Sequence, residues 1–155
     1  MCIRDRSSRL FQEIREKRGL AYSIYSFKST YRDSGLFGIY SGTGSNKLKE
    51  LLPVIRDEII SLEKDVTEEE IARSKAQIRS NILMSMESNA SRCEKVAQQL
   101  LVYGKPISTT DIVNKVDSVD KSHLKKVVDF LMKSKSTLAI VGPVQSSLRI
   151  PRIVG

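Results

Sequence analysis

One stretch confines the fold more than any other: Ser8-Arg9-Leu10-Phe11-Gln12-Glu13-Ile14-Arg15-Glu16-Lys17-Arg18-Gly19-Leu20-Ala21-Tyr22. It reads as a helix that must stop at a glycine and continue at once as a strand. Ser7 or Ser8 can cap its start, because a serine hydroxyl accepts from the open N–H groups of a first turn. Leu10, Phe11 and Ile14 fall on one side at helical spacing. Lys17 and Arg18 lie in the last turn, where cations suit the negative helix end. Gly19 fits the left-handed position that ends a helix.

Phe11, Arg15 and Tyr22 surround this corner. Arg15 can present a fork of N–H donors to a carbonyl or carboxylate. Tyr22 adds a phenol O–H at the start of the strand. Two donors at fixed separation on rigid elements can hold a peptide or an oxyanion. The residues alone favour a solvated helix charge at Arg15 and a half-buried strand residue at Tyr22.

The run Ser-Ser-Arg-Leu-Phe-Gln-Glu-Ile-Arg-Glu-Lys-Arg-Gly-Leu-Ala-Tyr-Ser closely resembles the signature in the C-terminal half of pitrilysin/insulinase-type zinc peptidases. It looks most like the branch that holds the mitochondrial processing peptidases and their short bacterial relatives. The similarity runs from about residue 7 to about residue 143; the early motif is specific, and the later helices match as a pattern. The resemblance implies that Arg15 and Tyr22 reach the active site from the half that lacks zinc. Arg15 would hold substrate main chain. Tyr22 would hydrogen-bond the substrate carbonyl or the tetrahedral intermediate, and Phe11 would line the same pocket. It implies zinc in the complete enzyme, a peptide substrate, and a zinc-bearing N-terminal half or partner subunit in a dimer or clamshell. It leaves the compartment open among bacterial cytoplasm, periplasm and mitochondrial matrix.

A peptidase of this type needs two imidazoles on one helix face beside a glutamate, the inverted His-x-x-Glu-His arrangement. The chain has one histidine, His123, and no such motif. It therefore holds no catalytic zinc by itself, a conclusion that rests on counting ligands. Cys2 and Cys93 make no disulfide framework; Cys93 is expected on the apolar side of a helix.

The net charge of +8 would suit nucleic acid, acidic membranes or acidic peptides. Acids and bases are mixed along most of the chain, so a solvated surface explains it. No apolar run approaches the roughly 20 residues of a membrane span. No signal peptide is visible in residues 1–20, which are charged. Residues 1–6, Met-Cys-Ile-Arg-Asp-Arg, stand where the resemblance implies glycines following a strand, and they read as a foreign junction.

From Ala21 to Tyr31 the chain reads as a strand, with Tyr25, Phe27 and Tyr31 on one face. Arg32-Asp33-Ser34-Gly35 is a turn, and Leu36 to Ser41 completes a hairpin. Gly42-Thr43-Gly44-Ser45-Asn46-Lys47 departs from both the Walker and the dinucleotide loop; Ser45 or Asn46 is expected to cap the next helix. Leu48, Leu51, Leu52, Ile55, Ile59 and Leu62 form that helix's stripe, with Pro53 expected to kink it or mark a late start. Thr67 and Glu70 form a capping box. Ile71, Ile78, Ile82, Leu83 and Met86 continue behind it, and Ser88-Asn89 breaks the run. Val96, Ala97, Leu100 and Leu101 form a further stripe that ends at Gly104 and Pro106. These stripes, and Met84 to Met86, are expected to fill core. Thr109 or Thr110 caps a short helix. Asp120 caps another, which buries Leu124, Val127, Val128 and Leu131. Thr137 to Gly142 is an apolar run read as a buried strand.

The expected fold is therefore α+β: an antiparallel sheet packed by helices, a LuxS/peptidase-like half-domain over residues 7–144 that lacks its leading strands, with a loose tail at 145–155. The expected function is the substrate-binding C-terminal domain of a zinc metalloendopeptidase that cleaves unfolded peptides, a fragment inactive alone. The alternative is a non-catalytic partner or scaffold subunit of the same fold. A remote alternative, an RNA-binding α+β domain, rests on Gly35-Leu36-Phe37-Gly38-Ile39-Tyr40. That motif wants a basic residue where Ser34 stands, and the helices from Thr67 to Tyr103 have no place in so small a fold, so no nucleic-acid partner is expected.

Overall fold

A computed structural model describes residues 8–143 of the 155-residue chain. The expected foreign junction and loose tail lie outside the described residues. Among these, the order is a π-helix Phe11–Lys17, strands β1 Ser23–Thr30 and β2 Gly35–Gly42, a 3₁₀ turn Ser45–Lys47, then helices α1 Leu48–Lys64, α2 Glu68–Ser85, α3 Asn89–Tyr103, α4 Thr109–Asp117 and α5 Lys121–Lys133. The fold is mixed α+β, with β1 and β2 paired antiparallel. The described residues fall into two compact units: 8–28, 37–66 and 122–143 in the first, 29–36 and 67–121 in the second.

The core of the first unit joins three elements. Leu10 and Ile14 of the first helix, Ile24 of β1, and Leu48, Leu51, Leu52, Val54, Ile55 and Ile59 of α1 form one buried cluster. Ile14 is 0% exposed. The stripe read for α1 is thus the one that is buried, apart from Leu62, which is half-buried. Ile39, Met132 and Ile140 pack against its edge. Alternation along β1 turns Ile24 and Ser26 inward and leaves Tyr25 and Phe27 on the outer face. There Tyr25 stacks on Tyr40 across the hairpin, with ring centroids 5.1 Å apart. Pro53 lies inside α1, which already begins at Leu48, so it does not mark a late start.

The second unit is helical apart from the hairpin tip. The expected capping box is present: Glu70 N–H donates to Thr67 Oγ1 at 3.2 Å, and Thr67 N–H donates to Glu70 Oε2 at 2.9 Å. Ser88 caps α3 by accepting from Ser91 N–H, and Gly104 ends it with φ 72°. Lys75 Nζ donates to the Asp117 carbonyl at 2.8 Å, tying α2 to the end of α4. Gln99 is buried, and its Oε1 accepts from Ile107 N–H at 3.0 Å, folding the connection back onto α3.

Five expectations are corrected. Residues 137–142 form no strand, and Leu138 and Val141 are exposed. A strand needs a neighbour's ladder, and among the described residues β1 and β2 pair only with each other. Ser108, not Thr109 or Thr110, caps α4, accepting from Asp111 N–H at 3.0 Å. Neither Ser45 nor Asn46 caps α1; Lys47 stands there without a side-chain cap bond, after a turn closed by Lys47 N–H to Gly44 C=O at 3.0 Å. Ile78, Leu83, Met84, Val96, Leu100 and Leu101 are exposed rather than core. So is Val127 of α5, while Val128 is buried. Helical period identifies an apolar face but not what covers it.

Ile14→Ala removes a fully enclosed side chain and is expected to destabilise the chain by about 2–5 kcal/mol. A shift in the urea unfolding midpoint measures it. A loss under about 1 kcal/mol would mean that the first helix is not part of the cooperative core.

Candidate functional site

The corner residues sit on a local structure that sequence periodicity did not reveal. Ser8 starts the helix, its Oγ accepting from Phe11 N–H at 3.3 Å. From Phe11 to Lys17 the turn widens to π geometry, an arrangement found mostly as single turns and often at functional sites. Gly19 ends it at φ 59°. Gly19 N–H returns to Arg15 C=O at 3.2 Å, and Leu20 N–H returns to Ile14 C=O at 2.8 Å. Arg9 anchors the outside of the helix to α1, its Nη2 donating to Asp65 C=O at 2.6 Å and its Nη1 to Ser61 Oγ at 3.4 Å.

This frame brings Phe11 and Arg15 together. The Arg15 guanidinium carbon lies 4.7 Å from the centre of the Phe11 ring, a cation–π contact of about 0.5–1 kcal/mol at an exposed site. Its salt bridge to Glu16 is long, Nε to Oε1 3.9 Å, with both side chains about half exposed; such surface pairs contribute little. Tyr22 is placed separately. It is 70% exposed, and no described hydrogen bond or ring contact joins it to Phe11 or Arg15. Its N–H donates to Gly42 C=O at 3.0 Å, and its ring lies over Gly42.

The loop 42–47 holds the corner from the other side. Thr43 Oγ1 donates to Leu20 C=O at 2.5 Å, and Lys47 Nζ donates to Gly19 C=O at 2.6 Å. The small residues, hydroxyl and cation that invited a phosphate-loop reading are used to fasten backbone carbonyls. Sequence reasoning missed this role. The signal was the hairpin register: a tip closed by Tyr31 N–H to Ser34 C=O sets Gly42 beside Ser23 and brings the following loop back to the corner.

Charges crowd the seam between the first helix and α1. Lys17 pairs with Glu13 one turn earlier. Glu58 of α1 is half-buried there, and its carboxyl is held above the ordinary carboxylate range. Burial is the main cause, Glu13 adds to it, and Arg9, Arg18 and Lys17 oppose it. On the exposed side of the first unit, Glu63 accepts from Lys125 at 3.1 Å and raises that ammonium's pKa.

Among the described residues the donor set does not fit a zinc site. His123 lies exposed in the first turn of α5, and among the described residues no group of three or more His, Cys, Asp or Glu side chains could hold a metal ion. Cys93 lies on the apolar side of α3, but that side is exposed: Arg92, Cys93, Val96, Ala97 and Leu100 line an open groove of about 440 Å³. Among the described residues no helix is long and apolar enough to cross a membrane.

Comparison with known proteins gives consistent results. Residues 2–78 match the family described as the peptidase M16 inactive domain. An uncharacterised zinc protease of Rickettsia felis is 40% identical over 137 residues, covering 88% of this chain and 33% of its own length. The uncharacterised zinc protease YmxG of Bacillus subtilis is 36% identical over 138 residues, covering 88% and 34%. The chain thus spans about a third of the length of the curated relatives it matches. A chain of Candida albicans complex III2 with Inz-5 bound superposes with a TM-score of 0.72 at 19% identity, over 80% of this chain and 30% of that one. A conserved protein from Enterococcus faecalis V583 superposes with a TM-score of 0.70 at 21% identity, over 81% and 29%. These two likenesses establish the fold.

The Glu58 shift has a sign that can be checked. Folding favours the protonated carboxyl, so its contribution is full below the ordinary value of 4.5 and is lost as pH rises through the higher folded value. Glu58→Gln is therefore expected to be more stable than the parent at about pH 7 and no more stable at about pH 4. Urea midpoints at the two pH values test this; a variant less stable at about pH 7 contradicts it.

Proposed function

Since the chain belongs to the peptidase M16 family by way of its inactive domain, we propose that it is the substrate-binding C-terminal domain of a zinc metalloendopeptidase that cleaves unfolded peptides. The hydrolytic metal belongs to a zinc-bearing half or partner subunit, facing this chain across a clamshell or dimer. The relatives' naming as zinc proteases supports that assignment.

The observation that carries the reading is the built corner: a guanidinium seated on Phe11 and an exposed phenol at Tyr22, both on backbone fastened at Gly19, Leu20 and Gly42. A guanidinium stacked by its carbon keeps its N–H groups at its rim, where they can grip substrate carbonyls. Arg15 holds substrate main chain in this way, and Phe11 lines the pocket and steadies the cation. Tyr22 donates its O–H to the carbonyl under attack, a bond that strengthens as negative charge develops on that oxygen. Fixed donors of this kind need little reorganisation during the reaction.

Tyr22→Phe in the complete peptidase is expected to lower kcat by about 10²-fold, the usual loss for one oxyanion donor, with KM within about threefold. Arg15→Ala is expected to act mainly through KM, raising it about tenfold for peptide substrates. Steady-state kinetics on an unfolded peptide measure both. Unchanged kcat in Tyr22→Phe removes the role given to the phenol and favours a partner or scaffold subunit of the same fold.

A further inference from the structure

We propose that Gly42 is a positioning residue for Tyr22: the space left by its missing side chain is the seat of the phenol ring. This rests on the role given to Tyr22 above. A Cβ built on Gly42 would lie 2.5 Å from Tyr22 Cε2 and 2.7 Å from Tyr22 Cζ, the carbon that bears the hydroxyl. It would also lie 2.7 Å from Ser23 Oγ. Real Cβ atoms do not approach this closely, so any side chain at position 42 moves the ring.

The rest of the ring's surroundings make this seat decisive. Tyr22 is 70% exposed, and its ring lies against the buried Gly42. The backbone beneath is pinned by Tyr22 N–H to Gly42 C=O at 3.0 Å. Thr43, the next residue, fastens Leu20 C=O. Gly42 therefore sets the ring's position through its bare Cα and the backbone's position through its carbonyl.

Gly42 does not need glycine for its own conformation, because its φ is not among the positive values at Gly19, Gly104 and Gly142. The atoms a methyl group would meet are ends of side chains, which can swing away. Gly42→Ala is thus expected to fold and to displace the phenol. A built-in control lies along the same strand. A Cβ on Gly38 would lie 2.3 Å from Phe27 Cζ, the same close packing beneath a ring with no polar atom.

Two measurements test the proposal. With the tyrosine rings of this chain labelled with ¹³C, Gly42→Ala should shift the Tyr22 ring resonances. In the complete peptidase, Gly42→Ala should lower kcat by about 10–100-fold, with KM within about threefold. It should cause no further loss in a Tyr22→Phe background, because no hydroxyl remains to be placed. Gly38→Ala should leave kcat within about threefold of the parent. Unmoved Tyr22 resonances, losses that multiply in the double variant, or an equal loss in Gly38→Ala would each overturn the proposal. If Tyr22→Phe leaves kcat unchanged while Gly42→Ala still shifts the ring, the phenol's role fails and the positioning role fails with it, although the seat itself is real.

Discussion

The structure of the first unit depends on the burial of one side of a short helix against a long one. Leu10 and Ile14 share one buried cluster with Leu51, Leu52 and Ile55, and that burial decides where everything on the helix's other side must go. A π-helix of seven residues has no independent stability in water. It persists because its apolar residues are enclosed, its start is capped by Ser8, and Arg9 ties it to the end of α1. Phe11 and Arg15 are held outward as a consequence of the inward packing of their neighbours.

The second constraint is the corner at Gly19. A left-handed residue there lets the chain leave the helix and enter β1 while the carbonyls of Ile14 and Arg15 each receive an N–H from beyond the turn. The loop after β2 then returns and takes up the carbonyls of Gly19 and Leu20. Helix end, strand start and loop are locked together by backbone groups, so the side chains of the corner are spared that task. Arg15 and Tyr22 stay exposed on a rigid base, the condition a binding site needs.

Much of this was legible in the sequence, and for physical reasons. Helix stops, capping boxes and amphipathic stripes are local, so Gly19, Thr67 with Glu70, the break at Ser88 and the α1 stripe could be read directly. The corner residues carried a specific signature, and Phe11 and Arg15 do meet in the folded chain. What failed depended on partners. Residues 137–142 have strand composition but no ladder beside them. The faces of α2 and α3 have helical period, yet Leu83 and Leu101 are uncovered. The π geometry was invisible because Leu10 and Ile14, four residues apart, suit a tight or a wide turn alike. The seat of Tyr22 was hidden because it is made by an absent side chain twenty positions downstream.

The π-helix also makes the segment a ruler. Its wider turn takes up one more residue per hydrogen-bonded ring than an α-helix does, and β1 begins shortly after it ends. Deleting one residue between Arg15 and Tyr22 would let the turn relax to the tighter form, or would advance the strand by one place and send Tyr25 and Phe27 inward where Ile24 and Ser26 now lie. Neither outcome preserves both ends. The spacing between the arginine and the tyrosine is therefore set by the length of the chain joining them, so this segment should accept substitutions far more readily than insertions or deletions.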